Sequence, residues 1–329
     1  MKKKLILLLF SFTGCLIFYS QSIFSQGKPI TEIFTDFHYN LKDTSKTTGF
    51  GLNRAYIGYN FLPAGSFSAT VILNIGSPDD LAPGSVHRRY SFFREASIAY
   101  IKDNLTITLG ITGTRLFDFQ QKFWGKRYVA NTYQSNNGYG YVADLGVVID
   151  YKFNDVWKGD IMVMNGEGYS DLQLDNGVKS SAGITFTPVK QVAIRIYGDI
   201  ENPKNEWRYT FIGFAGFKND LITIGGELSY RSNLDLIPGH NAWGISGTAG
   251  ITIFKKTELF ARYDYSTSII LPGEVTNWNW SRDGKFLIYG VQYKFSDNVK
   301  MALNYQGTYP YDNNKQDINA VFVNAAFKF

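Results

Sequence analysis

One long segment between two predicted strands, residues 113–140, concentrates basic side chains. Its charged members are Arg115, Asp118, Lys122, Lys126 and Arg127. Four cations against one acid can attract and select anions where a passage is narrow. The segment is also rich in aromatic side chains, which need an apolar surface to pack on. We therefore expect it to fold into the interior of the molecule as an electropositive constriction. If it stood out in solvent instead, its charges would have little consequence.

A second set of charged residues occupies alternate positions in predicted strands, with both signs mixed. The set comprises Asp36, Arg54, Asp144, Asp150, Lys152, Asp160, Arg195, Asp199, Arg262 and Asp264. Because the side chains of a strand alternate between its two faces, we expect these residues together on the polar face. Opposed charges across a wide pore set a transverse field that tunes which ions pass. For any single residue, pairing with a neighbour on the wall is the simpler expectation.

Histidine is the third residue type that could do chemistry, and it supports catalysis poorly. Asp36 stands two residues before His38 on the same strand face, a spacing that can orient an imidazole, but no serine lies in a recognisable nucleophile motif. His87 and His240 fall in predicted loops, where we expect them to be surface residues. We therefore predict that the protein is not an enzyme.

Metal and cofactor sites are not indicated either. The only cysteine, Cys15, lies in the N-terminal segment, and the three histidines have no ligand spacing. Asp79-Asp80, and Asp171 with Asp175, could bind calcium weakly but lack a binding-loop pattern. No glycine motif that would cradle a phosphate is present. We expect neither a metal nor a cofactor.

The elements that must position these residues are short strands. From residue 30 onward, segments of about ten residues alternate apolar and polar side chains, and the connections between them are alternately long and short. The pattern predicts a transmembrane antiparallel β-barrel of about 16 strands, an even number typical of bacterial outer-membrane barrels. A barrel of that width leaves an aqueous channel. Both termini should then face the periplasm, on the side of the short turns.

The C-terminal segment indicates that the sheet closes on itself. Val321, Val323, Ala325, Phe327 and Phe329 lie at alternate positions and form one apolar face. An unpaired apolar edge is an aggregation hazard, and pairing with the first strand would remove it. A terminal Phe after such a pattern also resembles the signal by which outer-membrane barrels are recognised for insertion. The alternative for this stretch alone is the last strand of a soluble sandwich.

Residues 1–26 have the features of a secretory signal peptide. Lys2, Lys3 and Lys4 precede an apolar run that is too short for a comfortable membrane-spanning helix. Lipid attachment at Cys15 is a weaker alternative, because the apolar run continues beyond it. The rest of the chain, residues 27–329, is predicted to form the barrel without a second domain.

The composition agrees with a barrel and gives no reason to propose nucleic acid as a partner. Aromatic residues make up 16% of the chain, with 32 Gly against 9 Pro, and the mean hydropathy is −0.16. Strands that alternate lipid-facing and lumen-facing residues average near zero, and aromatic residues collect at the two membrane interfaces. The net charge is +5, but removing the three N-terminal lysines leaves 30 basic against 28 acidic residues.

Three stretches and the terminal Phe329 carry a resemblance to a known family. The stretches are residues 51–59 (GLNRAYIGY), 113–125 (GTRLFDFQQKFWG) and 165–169 (NGEGY). With them the chain resembles the outer-membrane porins of the Bacteroidota, related to the phosphate-selective porin O/P superfamily. The resemblance implies a 16-stranded homotrimeric channel for small hydrophilic solutes in a Gram-negative outer membrane. The phosphate channels of that superfamily use an arginine ladder and a lysine cluster, whereas the arginines here, Arg54, Arg94, Arg195 and Arg262, are interspersed with acids.

The sequence thus predicts a passive porin that sits in outer-membrane lipid. Alternate strand residues line its lumen, and the segment from Arg115 to Arg127 narrows it. A preference for anions such as phosphate rests mainly on that basic segment. The alternative is a barrel that works at the outer surface, as an adhesin or a component of an uptake complex, through the aromatic loops near Trp278 and Trp280.

Overall fold

The computed structural model describes residues 27–41, 48–75 and 91–329. The predicted signal peptide with Cys15, the pair Asp79-Asp80 and His87 lie outside the described residues.

Sixteen antiparallel strands are present in the described part of the chain. They are β1 (Gly27–Asn40), β2 (Gly49–Ala64), β3 (Phe67–Ile75), β4 (Ser91–Lys102), β5 (Leu105–Gly113), β6 (Ala143–Lys152), β7 (Trp157–Met164), β8 (Lys179–Val189), β9 (Val192–Glu201), β10 (Arg208–Lys218), β11 (Ile222–Arg231), β12 (Ala242–Phe254), β13 (Thr257–Ser268), β14 (Gly284–Lys294), β15 (Val299–Pro310) and β16 (Ile318–Lys328). Each strand pairs with its sequence neighbour, and β1 pairs with β16, so the sheet is a closed barrel. The predicted fold is confirmed.

The closing pair joins the two ends of the described chain in register. Glu32 lies opposite Lys328, and the pairing continues to Asn40 opposite Ala320. The backbone N–H of Phe329 donates to the carbonyl of Thr31 at 2.7 Å. Closure leaves no free sheet edge, which is the condition for a β-sheet in lipid, where an unpaired backbone group has no water to bind.

Side chains alternate between the outside and the inside of the barrel. Along β13, Leu259 and Tyr263 are exposed on the outer face, whereas Phe260, Arg262 and Asp264 are buried inside. The outer face is therefore apolar and the inner face carries the charges, which is the reverse of a soluble barrel with an apolar interior.

The short connections gather at one end of the barrel, here called the turn end, and the long ones at the other, the loop end. Asparagines build several of the turns: Asn219 Oδ1 accepts from the N–H of Leu221 at 2.9 Å and of Ile222 at 2.6 Å, an arrangement that asparagine favours in tight turns. Among the described residues, no helix has the length and apolar character needed to cross a membrane.

Aromatic side chains pack against one another on the outer face near both ends. Tyr293 and Phe295 lie 4.8 Å apart near the turn end, and Trp243 and Tyr265 lie 6.0 Å apart near the loop end. Two such belts, separated by aliphatic residues, match the two interfaces of a bilayer.

Two β-bulges interrupt the alternation on neighbouring parts of the wall. The β1–β2 register shifts so that Asn53 is an extra residue on β2, and the β3–β4 register shifts so that Arg94 is an extra residue on β4. A bulge lets two successive residues face the same side. Asn53 and Arg54 consequently both face the lumen, as do Arg94 and Glu95.

The orientation of β3 predicts opposite responses to a charge at adjacent positions. Val71 is on the outer face near the middle of the strand, whereas Thr70 faces an open part of the lumen. Val71→Arg should lower the free energy of unfolding by about 2–4 kcal/mol, because it places a cation in lipid. Thr70→Arg should cost less than about 1 kcal/mol, because its guanidinium reaches water. Equal losses in guanidinium unfolding from lipid vesicles would contradict this orientation.

Candidate functional site

The connection between β5 and β6, residues 114–142 and here called the inner loop, lies inside the barrel. It contains two short helices, α1 (Asp118–Trp124) and α2 (Tyr133–Asn136). Its side chains reach inward-facing residues on distant strands, including Gln292 on β14 and Ser266 on β13. A segment that begins on β5 can contact those strands only by crossing the lumen. The inner loop therefore narrows the channel.

Helix α1 is fixed by an apolar contact with the part of the barrel formed by β7–β13, here called the far wall. The Phe123 ring lies 4.8 Å from that of Phe214, and it occupies the space over Gly216 and Gly225, where a Cβ atom would come within 2.4 Å and 2.7 Å of the ring. The helix ends at Gly125, whose φ of 65° is the left-handed conformation that glycine adopts readily.

Helix α2 is fixed by hydrogen bonds instead. The Tyr133 hydroxyl bonds with Ser266 Oγ at 2.9 Å, and Gln134 Nε2 donates to Glu227 at 2.8 Å and to Ser229 at 3.0 Å. Burial raises the pKa of Tyr133 to about 12, so this hydroxyl stays neutral over the physiological range.

The four bases of the inner loop do not form one cluster. Arg115 binds Asp150 through two bonds of 2.8 Å and 2.6 Å and contacts Asp118 at 3.3 Å. Burial alone would lower the pKa of Arg115, but the hydrogen bonds and charge of Asp150 outweigh it and raise the pKa. Lys122 is exposed, 3.5 Å from Asp118. These two bases are therefore largely balanced by acids.

Lys126 and Arg127 are adjacent in sequence but have different surroundings. The Lys126 ammonium is buried and lies 2.6 Å from Glu258 on β13. Burial lowers the pKa of Lys126, and the charge of Glu258 opposes that shift. Arg127 instead lines an open cavity, and its Nη2 has no hydrogen-bond partner among the described residues.

The far wall carries five of the ten charged residues that alternation predicted, and all five are paired. Arg195 binds Asp160 at 2.7 Å and 2.9 Å, and Arg262 binds Asp264 at 2.8 Å and 2.6 Å. On the same wall Lys179 lies 3.2 Å from Asp199. Such buried pairs hold each other in place and leave little net charge for a passing ion.

Three arginines have no acid within ion-pair distance in the part of the chain that the structure describes: Arg54, Arg94 and Arg127. Arg54 donates to the Tyr56 hydroxyl at 2.6 Å, and Arg94 donates to the carbonyl of Val142 at 3.3 Å. Glu95 faces the same space as Arg94 and offsets part of its charge. Strict alternation along β4 did not indicate Arg94 as a lumen residue, because the bulge changes the face at that position.

Open space remains beside the inner loop as three cavities. The upper cavity, near the loop end, has a volume of about 800 Å³ and includes Arg54, Asn74 and Arg127. The middle cavity, about 260 Å³, includes Arg94, Glu95 and Arg115. The lower cavity, about 530 Å³, reaches Asp103 at the turn end.

The upper and middle cavities are linked by one hydrogen bond, and the middle and lower cavities by two shared residues. Arg94 lines the middle cavity, and its bond to Val142 touches the wall of the upper one. Arg115 and Asp118 line both the middle and the lower cavities. Arg94 thus lies between the upper and middle cavities, and the Arg115–Asp118 pair lies between the middle and lower ones.

Other residues considered for chemistry are held in polar networks. His38 Nδ1 lies 2.8 Å from Asp36, which also accepts from Asn53 at 2.6 Å. His240, which we expected on the surface, is half-buried. It stacks on Trp278 with ring centroids 4.8 Å apart, and its Nε2 lies 2.8 Å from Glu274. Among the described residues, no group of three metal-ligating side chains is present.

Comparison with known proteins identifies the fold. The chain is similar to OmpF of Salmonella typhi in complex with daunomycin, at a TM-score of 0.70 and 10% identity over 92% of this chain and 97% of that one. It is similar to the anion-selective porin from Comamonas acidovorans, at a TM-score of 0.65 and 10% identity over 92% and 99%. The trimer form of in-vitro folded OmpT of Vibrio cholerae gives a TM-score of 0.64 at 14% identity over 92% and 99%.

These structural neighbours are outer-membrane porins and outer-membrane proteins, and the chain shares their β-barrel fold. No protein-family model matches the chain, and no curated protein matches it. The narrower resemblance to Bacteroidota porins and to the phosphate-selective porin O/P superfamily therefore stays a prediction.

The Lys126–Glu258 pair predicts a measurable anchoring of the inner loop. Glu258→Gln leaves the buried Lys126 ammonium without its counter-charge, at a cost of about 3–5 kcal/mol, whereas Lys126→Met leaves the partly exposed Glu258 unpaired at a smaller cost. We expect the inner loop to detach before the barrel unfolds, because the strands keep their own hydrogen bonds. Chymotrypsin should then cut at Trp124 or Tyr128 in each single variant, and much less in the double variant.

Lys122→Met is the matched control, since that lysine is exposed and its ion pair is worth at most about 1 kcal/mol. Cleavage of the control at the rate of the Lys126→Met variant would show that the buried pair does not anchor the loop.

Proposed function

We propose that the protein is a porin of the outer membrane, through which small hydrophilic solutes diffuse passively. The observation that carries the proposal is the series of three cavities beside the inner loop, from the loop end to the turn end of a closed barrel. An apolar outer face with two aromatic belts supports integral placement in the lipid of a Gram-negative outer membrane. No catalytic step belongs to the proposal.

The channel prefers anions in this proposal, because the bases along the route are less well paired than the acids. Arg54, Arg94 and Arg127 have no ion-pair partner among the described residues, whereas Asp150 and Asp264 are each bound by an arginine. An unbalanced cation in a narrow passage raises the local concentration of anions. The preference thus rests on these three arginines, rather than on the Arg115 to Arg127 segment as a whole.

Assembly as a homotrimer is part of the proposal, supported by the trimer form of a structural neighbour. Membership of the Bacteroidota porins and selectivity for phosphate rest on the sequence resemblance alone. The paired arginines of the far wall, Arg195 and Arg262, do not form a free ladder for phosphate.

A second candidate function is binding at the outer surface, as an adhesin or a component of an uptake complex. The observation that favours it is an aromatic cluster at the loop end, where Trp278 stacks on His240 and Trp280 lies 6.0 Å from Tyr311. Aromatic side chains are frequent anchors of protein interfaces. This function does not require an open lumen, so conductance separates the two candidates.

Single-channel recording in a planar bilayer, with the reversal potential measured under a KCl gradient, tests the channel and its preference together. We expect stable conductance steps and a potential that favours chloride. Arg54→Gln, Arg94→Gln and Arg127→Gln should each lower the anion-to-cation permeability ratio, by roughly fivefold where about 1 kcal/mol of Coulomb energy is lost. The effect should shrink as the ionic strength rises.

Lys315→Gln supplies the matched control, because it removes one exposed positive charge on the connection between β15 and β16 that lines none of the three cavities. It should leave the ratio nearly unchanged. A folded barrel without conductance would reject the porin and favour surface binding. Conductance without anion preference would retain the channel and reject the role of the three arginines.

A further inference from the structure

We infer that the upper cavity is a binding site for organic carboxylates that carry hydroxyl groups, the chemistry of sugar acids. The inference rests on the proposed channel function and names the class of solute that the channel would hold in transit. It follows from four properties of the cavity: its size, its unpaired cations, a buried amide without a partner, and aromatic rings beside the polar groups.

The size of the cavity excludes a site shaped for a small inorganic anion. Its volume of about 800 Å³ lies in the range of sites for organic ligands of drug size, which is about 300–1,000 Å³. A phosphate or chloride ion would fill only a small part of it and would leave most of the lining groups without contact.

The charges that face the cavity leave a net positive site. Asp264 is held by Arg262, and Asp283 accepts bonds from Ser268 and Asn277. Both acids are thus hydrogen-bonded, but only Asp264 has a counter-ion, and Oδ1 of Asp283 has no partner among the described residues. Arg54, Arg127 and Lys285 are the cavity bases without an ion pair among the described residues. The guanidinium groups of the two arginines can bind carboxylates in a planar, two-bond geometry.

A neutral polar group in the cavity lacks a hydrogen-bond donor, which an anion without a hydroxyl group would not supply. Asn74 lines the cavity with only 4% of its surface exposed, and its Oδ1 has no hydrogen-bond partner among the described residues. Its Nδ2 donates to the Tyr169 hydroxyl at 2.9 Å, which fixes the amide and leaves Oδ1, shielded from solvent, without a donor. A buried acceptor without a donor is costly. A solute hydroxyl would supply that donor, whereas chloride would not.

Aromatic side chains complete the lining. Phe34, Tyr128 and Phe286 face the same cavity as Arg54 and Arg127, and Phe34 and Tyr128 pack with ring centroids 6.3 Å apart. Rings beside hydrogen-bonding groups suit a ligand with an apolar C–H face and a polar rim. A pyranose carboxylate has a C–H face, hydroxyl donors and a planar anion, so it matches all four properties.

The test is single-channel recording with sodium glucuronate, after the KCl conductance of each protein has been established. We expect millimolar glucuronate to interrupt the current in brief events whose frequency saturates with concentration. Glucose at the same concentration should give events at least tenfold shorter, and sodium phosphate should give none that saturate.

Two variants address the two kinds of contact. Arg127→Gln should shorten the glucuronate events about tenfold, since it removes a charge-assisted bond. Asn74→Leu should shorten them roughly three- to tenfold through the lost acceptor, while the reversal potential in KCl stays that of the unmodified protein because no charge changes. Lys315→Gln, at an exposed base on the outer connection between β15 and β16, should leave the events unchanged.

The outcomes separate this inference from the proposed function. Absence of KCl conductance would reject the channel itself. An anion-preferring channel without glucuronate events, or with equal events for glucose or for phosphate, would overturn the hydroxy-carboxylate site and leave the channel standing. Should Asn74→Leu fail to fold, the Arg127→Gln result together with the glucose and phosphate comparisons decides the question.

Discussion

The requirement that every backbone N–H and C=O be bonded inside a lipid bilayer governs this structure. Lipid offers no hydrogen bonds, so a sheet that crosses it must close, and β1 pairs with β16 for that reason. A closed sheet of sixteen strands is too wide for wall side chains to fill. Its interior is therefore wet, and the inward positions take polar and charged residues. The width that closure imposes is also what leaves room for the inner loop.

The inner loop turns that wide lumen into a narrow route, and the charges inside the barrel divide into two groups accordingly. On the far wall, pairs such as Arg195–Asp160 and Arg262–Asp264 are buried and balanced. They hold each other in place and add little net charge to the cavities that they line. On the β2–β4 wall, Arg54 and Arg94 face open space without an acid partner. Selectivity in the proposed channel therefore depends less on the number of charged residues in the lumen than on which of them lack an ion-pair partner.

The fold could be predicted from the sequence because its signal is local and repeated. Alternation along each strand, as in Leu105–Gly113, and the regular exchange of long and short connections determine the strand number and the closure without any distant contact. The two helices of the inner loop were not predicted. Helix α1 has only seven residues, too few for a stable helix in isolation, and it depends on the contact of Phe123 with Phe214, Gly216 and Gly225 across the lumen.

The site was harder to predict than the fold, and the reason is visible at Arg94. Parity along a strand assigns faces only while the register is regular, and one bulge reverses every assignment beyond it. The bulges at Asn53 and Arg94 cannot be read from local residue types, because they depend on how β1 and β3 pair alongside. They place Asn53 with Arg54, and Arg94 with Glu95, as successive lumen residues on strands that otherwise contribute every second one. A bulge thus concentrates polar groups at one height of a regular wall. In the proposed channel, two of the three arginines without an ion pair, Arg54 and Arg94, lie at such departures from alternation.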